Sequence, residues 1–140
     1  MKQYDHQTKA DNEGDVIKHP ALIAAHKGLL AEYHGMFRYA DSFAGRWESE
    51  LSQHGAWRRG IGRFASRWTG GNPDIELWRQ QWTAATSALY PGSTQLAKRV
   101  FADRGDHAIR AFETIEAYVA GLRANLRDTA VFTCSATPAD

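Results

Sequence analysis

Phe37-Arg38-Tyr39-Ala40-Asp41-Ser42-Phe43-Ala44-Gly45 decides how the rest of this chain is read. The stretch reads as a buried strand that closes on an acid and runs into a glycine-bearing turn. In a doubly wound α/β fold, the carboxyl end of the first strand is where a nucleotide-like ligand is held. A glycine in the following turn lets backbone approach that ligand closely. The turn has one glycine and no full Gly-x-Gly-x-x-Gly pattern, so an Asp41 satisfied by local backbone bonds stands as the alternative.

Upstream of the strand, residues 1–14 are polar and read as an extended arm. Asp15 to Gly35 reads as a helix, because Val16, Leu22, Ala25, Leu29 and Tyr33 recur at three- to four-residue steps and Gly35 supplies a stop. Pro20 either kinks that helix or restarts it. Downstream, residues 46–55 read as loop. Trp57 to Trp68 reads as one helix with Trp57, Ile61, Phe64 and Trp68 on a seam. Asn72-Pro73 is a restart signal, a cap followed by proline at the first helical position, and Ile75, Trp78, Trp82, Ala85 and Leu89 mark the helix it starts.

Tyr90-Pro91-Gly92 reads as a turn, followed by a helix that Ser93 can cap. Ala108 to Glu116 reads as a second strand ending in acids, Tyr118 to Leu126 as a short helix, and Thr129 to Ser135 as a third strand. Together these predict one α/β domain over residues 1–140, with about three parallel strands and a helical insertion over 55–90.

The bulk numbers narrow the classes. A chain of 140 residues is one domain in length. Hydrophobic content of 43% is enough for a core. With 17 basic and 16 acidic side chains the net charge is +1, so any basic surface has to be local. The single cysteine, Cys134, excludes an internal disulfide and reads as a core thiol in a reducing compartment. No apolar run approaches the roughly 18 residues of a membrane span, and the N-terminus has no hydrophobic signal core. The expected location is cytoplasmic.

Several residues could carry chemistry. Glu113 and Glu116 stand near the end of the second strand, where an acid commonly accepts hydrogen bonds from ribose hydroxyls in this fold class; a solvated acid is the alternative. Ser93 and its neighbouring N–H groups would favour an anion at a helix N-terminus, or Ser93 is an ordinary cap. Arg59, Arg63 and Arg67 fall four apart and line one side of a helix, with Arg58 flanking them. Such a stripe can grip phosphates, or it is a solvated face. The six histidines form no ligand pair or Cys/His cluster, so no metal site is expected. Lys18-His19 either faces the ligand pocket or lies on the surface.

The ordered set Tyr4-x-His6, Asn12-x-x-Asp15-Val16-Ile17-Lys18-His19, Asp41-x-x-Ala44-Gly45, Gly60-Ile61, Tyr90-Pro91-Gly92-Ser93 and Glu113 resembles the bacterial 23S ribosomal RNA adenine-N6 methyltransferases. The resemblance runs from residue 4 to residue 140. It implies a Rossmann-like methyltransferase domain with a helical insertion after its first strand, and methyl transfer from S-adenosylmethionine to an adenine amine. It also implies that His19 contacts the cofactor beside Asp41 and Gly45. Ser93 would lie at the cofactor's amino-acid end, Glu113 on its ribose and Asp140 at its adenine. Tyr4 would touch substrate RNA; Arg59, Arg63 and Arg67 are candidate RNA contacts from their spacing alone.

The chain departs from the family in three places. The family's turn reads Asp-Thr-His-Ala-Gly-Ala-Gly, whereas here Asp41-Ser42-Phe43-Ala44-Gly45-Arg46-Trp47 lacks the second glycine. Phe43 replaces a histidine and is expected to crowd the cofactor's approach. Pro20 falls inside the family's first helix. The catalytic Asp-Pro-Pro-Tyr, whose aromatic stacks on the flipped base, does not occur in this chain. The chain is therefore read as the N-terminal half of a methyltransferase, inactive by itself, or as a shortened non-catalytic relative that binds RNA or a partner. A purely helical interaction domain is a third reading, which the strand at 108–116 disfavours. Three strands of a parallel sheet leave an edge uncovered, so self-association through that edge is also expected.

Overall fold

The computed structural model describes residues 12–51, 54–83, 89–102, 107–126 and 131–133. The elements run α1 (Glu13–Glu32), β1 (Phe37–Asp41), β2 (Glu48–Glu50), a 3-10 turn at Ala56–Arg58, α2 (Ile61–Ala65), α3 (Pro73–Thr83), β3 (Leu89–Pro91), α4 (Ser93–Val100), β4 (His107–Glu113), α5 (Glu116–Asn125) and β5 (Val131–Thr133). The fold is mixed α/β. Its main sheet is parallel, in the order β1-β4-β5. Asp41 pairs with Ala111, and Glu113 with Thr133, so the two acids end neighbouring strands at slightly different heights.

Helix α1 starts earlier than the apolar spacing predicts, because Asn12 builds a capping box. Its side chain accepts the Gly14 N–H (2.7 Å), while Asp15 Oδ2 accepts the Asn12 N–H (3.2 Å). The helix runs unbroken through Pro20. That residue is buried on the same face as Ile23 and His26, so packing compensates for the hydrogen bond that proline cannot donate. At α3 the expected cap is present: Asn72 Oδ1 accepts the N–H groups of Asp74 (2.9 Å) and Ile75 (3.1 Å).

Three expectations are corrected. Trp57 to Trp68 is not one helix. A 3-10 turn at Ala56–Arg58 and a separate helix at Ile61–Ala65 take its place, with Gly60 between them, and Trp57 folds over Gly62 so closely that a Cβ there would sit 3.0 Å from the Trp57 ring. Residues 46–55 and Tyr90-Pro91 are not simply loop and turn, since β2 and β3 pair antiparallel, with Ser49 opposite Tyr90. Strand β1 is not buried throughout. Phe37, Tyr39 and Asp41 are half-buried, whereas Arg38 and Ala40 are exposed. The third strand candidate keeps Val131–Thr133, and its remainder lies outside the described residues.

Two apolar clusters form the interior. One, beneath the sheet, joins Ile109 and Ala111 to Phe101, Leu122 and Leu126. The other joins Ile23 of α1 to Ile61, Trp78, Tyr90 and Leu96. Helix α4 supplies both, giving Leu96 to the second and Ala97 and Phe101 to the first, with Val100 touching each. That double anchorage fixes where the first residues of α4 stand, and those residues face the end of β1.

Candidate ligand site at the strand ends

The carboxylate of Asp41 is the centre of the site. Its Oδ2 accepts hydrogen bonds from the hydroxyls of Ser93 (2.6 Å), Thr94 (3.1 Å) and Tyr39 (3.1 Å), and its Oδ1 accepts the Phe43 N–H (3.3 Å). Tyr39 reaches it because residues two apart on a strand share a face. Ser93 and Thr94 open α4, where the helix dipole also favours a negative charge. Ser93 is therefore not the cap. Gly92 holds that position without a side-chain bond, and the Ser93 hydroxyl is spent on Asp41.

One strand over, Glu113 ties the loop after β1 to the end of β4. Its Oε2 accepts the Gly45 N–H (2.8 Å), and its Oε1 accepts the N–H groups of Thr114 (2.7 Å) and Ile115 (2.9 Å). Ala44 adds a backbone bond to the Phe112 carbonyl (3.1 Å). Gly45 needs to be glycine, since its φ of 63° lies in the left-handed region. Gly92 needs to be glycine for a different reason. Its N–H donates to the Trp47 carbonyl (2.8 Å), and a Cβ would stand 2.1 Å from the Arg46 carbonyl oxygen.

The loop after β1, the start of α4 and the end of β4 thus meet at one place, although Asp41, Ser93 and Glu113 are far apart in sequence. Phe43, expected to crowd the approach, is 92% exposed. Glu116 lies in the first turn of α5 and is exposed.

Histidine 19 stands on α1, half-buried. Its Nδ1 is hydrogen-bonded to the Tyr90 hydroxyl, and the two rings stack with centroids 5.4 Å apart. Burial draws its pKa down from 6.5 to about 4, with Lys18 adding to that pull and the Asp15 and Asp41 carboxylates opposing it. Lys18 itself is exposed and pairs with Asp15 (2.8 Å). Under β1, His26 is buried among Phe37, Tyr39 and Phe101, and its Nδ1 has no hydrogen-bond partner among the described residues. Burial lowers its pKa too. The Tyr39 hydroxyl is pushed up by burial first and then by the Asp41 charge it donates to.

Sequence reading missed Thr94, Tyr39 and Tyr90. The first two carried a signal, namely tandem hydroxyls at a helix start and an i, i+2 partner on the strand. Tyr4, Cys134 and Asp140 lie outside the described residues.

Arg59, Arg63 and Arg67 do share a surface. They border an open groove of about 320 Å³ with Val16, Ile17 and Phe64 beside them and Glu13 at its margin. All three arginines are exposed. Among the described residues, no group of three or more His, Cys, Asp or Glu could hold a metal ion. No helix there is long and apolar enough to cross a membrane.

No family model and no curated protein matches the chain. Among solved structures, it is similar to protein LPL1258 from Legionella pneumophila str. Philadelphia 1, which is described with the family model DUF519. The identity is 22% and the TM-score 0.68, covering 89% of this chain and 48% of that one. At this identity the likeness speaks for the fold. The chain spans about half the length of that protein.

Proposed function

We propose that this chain carries the S-adenosylmethionine-binding front of a Rossmann-like methyltransferase whose substrate is an adenine amine of 23S ribosomal RNA. One observation supports the reading above the others: Asp41 with Ser93, and Gly45 with Glu113, are fastened together at the ends of adjacent parallel strands. Acids in that place suit the hydroxyls and ammonium of an adenosyl amino acid. The chain's residues fit such a group. Gly45 takes the left-handed conformation that the turn needs, the Ser93 hydroxyl bonds to the Asp41 carboxylate, and His19 stands close enough to feel that carboxylate's charge.

Within this proposal Asp41, Gly45, Ser93, Glu113 and His19 hold the cofactor. When bound, that group supplies the methyl to be transferred. Asp41 and Glu113 orient it through hydrogen bonds, and the neutral His19 adds a polar contact without a competing positive charge. No residue of this chain is assigned the transfer step, since the sequence holds no Asp-Pro-Pro-Tyr.

Calorimetry of the purified chain with S-adenosylhomocysteine tests the reading. Saturable heat is expected, weakened about tenfold by Glu113→Gln, which exchanges a charged acceptor for a neutral one. An absence of heat up to millimolar ligand contradicts it.

The arginine groove favours a second reading, a non-catalytic RNA-binding protein that keeps the same fold. Exposed guanidinium groups along an open groove suit the phosphate oxygens of an extended anion. Retention of RNA affinity together with silence in the calorimeter is the outcome that selects it.

A further inference from the structure

Tyr90 is buried between two nitrogen-bearing side chains from different parts of the fold. Trp78 of α3 donates its Nε1–H to the Tyr90 hydroxyl (3.0 Å), and that hydroxyl also meets Nδ1 of His19 on α1. An indole N–H can only donate, so the tyrosine oxygen is the acceptor in the first bond. The phenolic O–H is the donor that the oxygen itself can bring to the second. Tyr90 and Trp78 are 3% and 0% exposed, and Ser49 of β2 pairs with Tyr90 across the antiparallel ladder. The hydroxyl therefore has little freedom to turn away.

We propose that Tyr90 is a positioning residue for His19, fixing it as a neutral imidazole with its proton on Nε2, so that the ring offers one N–H donor to an acceptor group of the bound ligand. In this assignment the chain of bonds runs from Trp78 to Tyr90 to His19, with Nδ1 as the final acceptor. Nε2 has no hydrogen-bond partner among the described residues and is not among the atoms sealed from solvent. The charges that face the ring are those of Asp15, Asp41 and Lys18, and none of them bonds to it. Stacking of the two rings at an interplanar angle of 20° restrains the imidazole further. The ligand half of the inference rests on the cofactor reading above; the tautomer half does not.

Nitrogen-15 spectra of the histidine-labelled full chain, with the His19 signals assigned by their loss in His19→Gln, read the tautomer directly. At neutral pH the wild-type ring is expected to be the pure Nε2–H form. Tyr90→Phe is expected to give a mixture of tautomers and to weaken S-adenosylhomocysteine binding about tenfold. A wild-type His19 that is Nδ1–H, mixed or doubly protonated overturns the proposal, and that result does not depend on whether Tyr90→Phe folds. An unchanged tautomer in a folded Tyr90→Phe also overturns it. If the wild-type tautomer is as stated and S-adenosylhomocysteine gives no heat, the positioning stands and the ligand assignment falls.

Discussion

The strand-end cluster and the arginine groove are assembled in opposite ways. At the strand ends, Asp41, Ser93 and Glu113 come from distant parts of the sequence and are held by short bonds to charged acceptors, over a helix anchored in both apolar clusters. In the groove, Arg59, Arg63 and Arg67 come from one short segment and reach outward from a single helical turn and its flanks. The first is ordered before any ligand arrives, at the expense of side-chain freedom already lost in folding. The second leaves that ordering until contact and acts through charge. The difference suits a small polar ligand at the strand ends and an extended anion in the groove. It also means that substitutions should separate: strand-end changes alter stability and binding together, and groove changes alter binding alone.

The largest expected effect is from Gly92→Ala. Its Cβ would collide with backbone rather than with a yielding side chain, so the turn before α4 must move and carry Ser93 away from Asp41. A loss of about 3 kcal/mol in urea unfolding is expected, at the upper end for overpacking. A loss below about 1 kcal/mol would show that the strand-end region yields to the added methyl and is not rigid.

Acid is next. The folded chain keeps His19 neutral down to about pH 4, whereas the unfolded chain protonates near 6.5. The unfolded state therefore binds the proton first, and stability falls as pH drops from 6.5 to about 4 and then levels off for this group. His19 accounts for about 3 kcal/mol at most, and His26 acts in the same direction. Urea midpoints across that range check this, and His19→Gln should flatten the slope.

Glu113→Gln is expected to cost about 1.5 kcal/mol in stability, because the amide keeps one acceptor oxygen and sets an NH2 group against the backbone N–H groups that the other oxygen served. Urea unfolding and calorimetry of the same variant should move together. The smallest change in stability belongs to the triple variant Arg59→Ala, Arg63→Ala, Arg67→Ala, within about 0.5 kcal/mol of the parent. Its RNA gel-shift affinity should nevertheless drop, and the slope of affinity against salt should become shallower by about 2. An unchanged slope removes the groove from the account.

The same contrast governs what could be read beforehand. Strands β1 and β4, the Asn72 cap and the acid–glycine turn carry their signals locally, in alternation and in turn chemistry, and the sequence displays them. Strands β2 and β3 do not. Glu48-Ser49-Glu50 has no strand-like composition, and its pairing with Leu89-Tyr90-Pro91 exists only after the helical segment between them has folded back. The Trp57–Trp68 seam has a helical period, yet the helix is broken at Gly60 and ends at Ala65, and the aromatic rings still pack, Phe64 on Trp68 at 5.2 Å. Periodicity reported the packing there and missed the chain break. At the site, Asp41, Ser93 and Glu113 were legible as separate residue types. Their convergence on one ligand is expected from the family resemblance; what brings it about, α4 anchored through Leu96 in one apolar cluster and through Ala97 and Phe101 in the other, has no local signal in the sequence.

An amide spectrum of the chain titrated with S-adenosylhomocysteine puts the two regions side by side. The N–H signals of Gly45, Thr94 and Thr114 should shift together with one midpoint, while those of Ile61–Ala65 stay in place. Shifts confined to the arginine groove, or Gly45 and Thr94 responding with different midpoints, would contradict a single ligand seat at the strand ends.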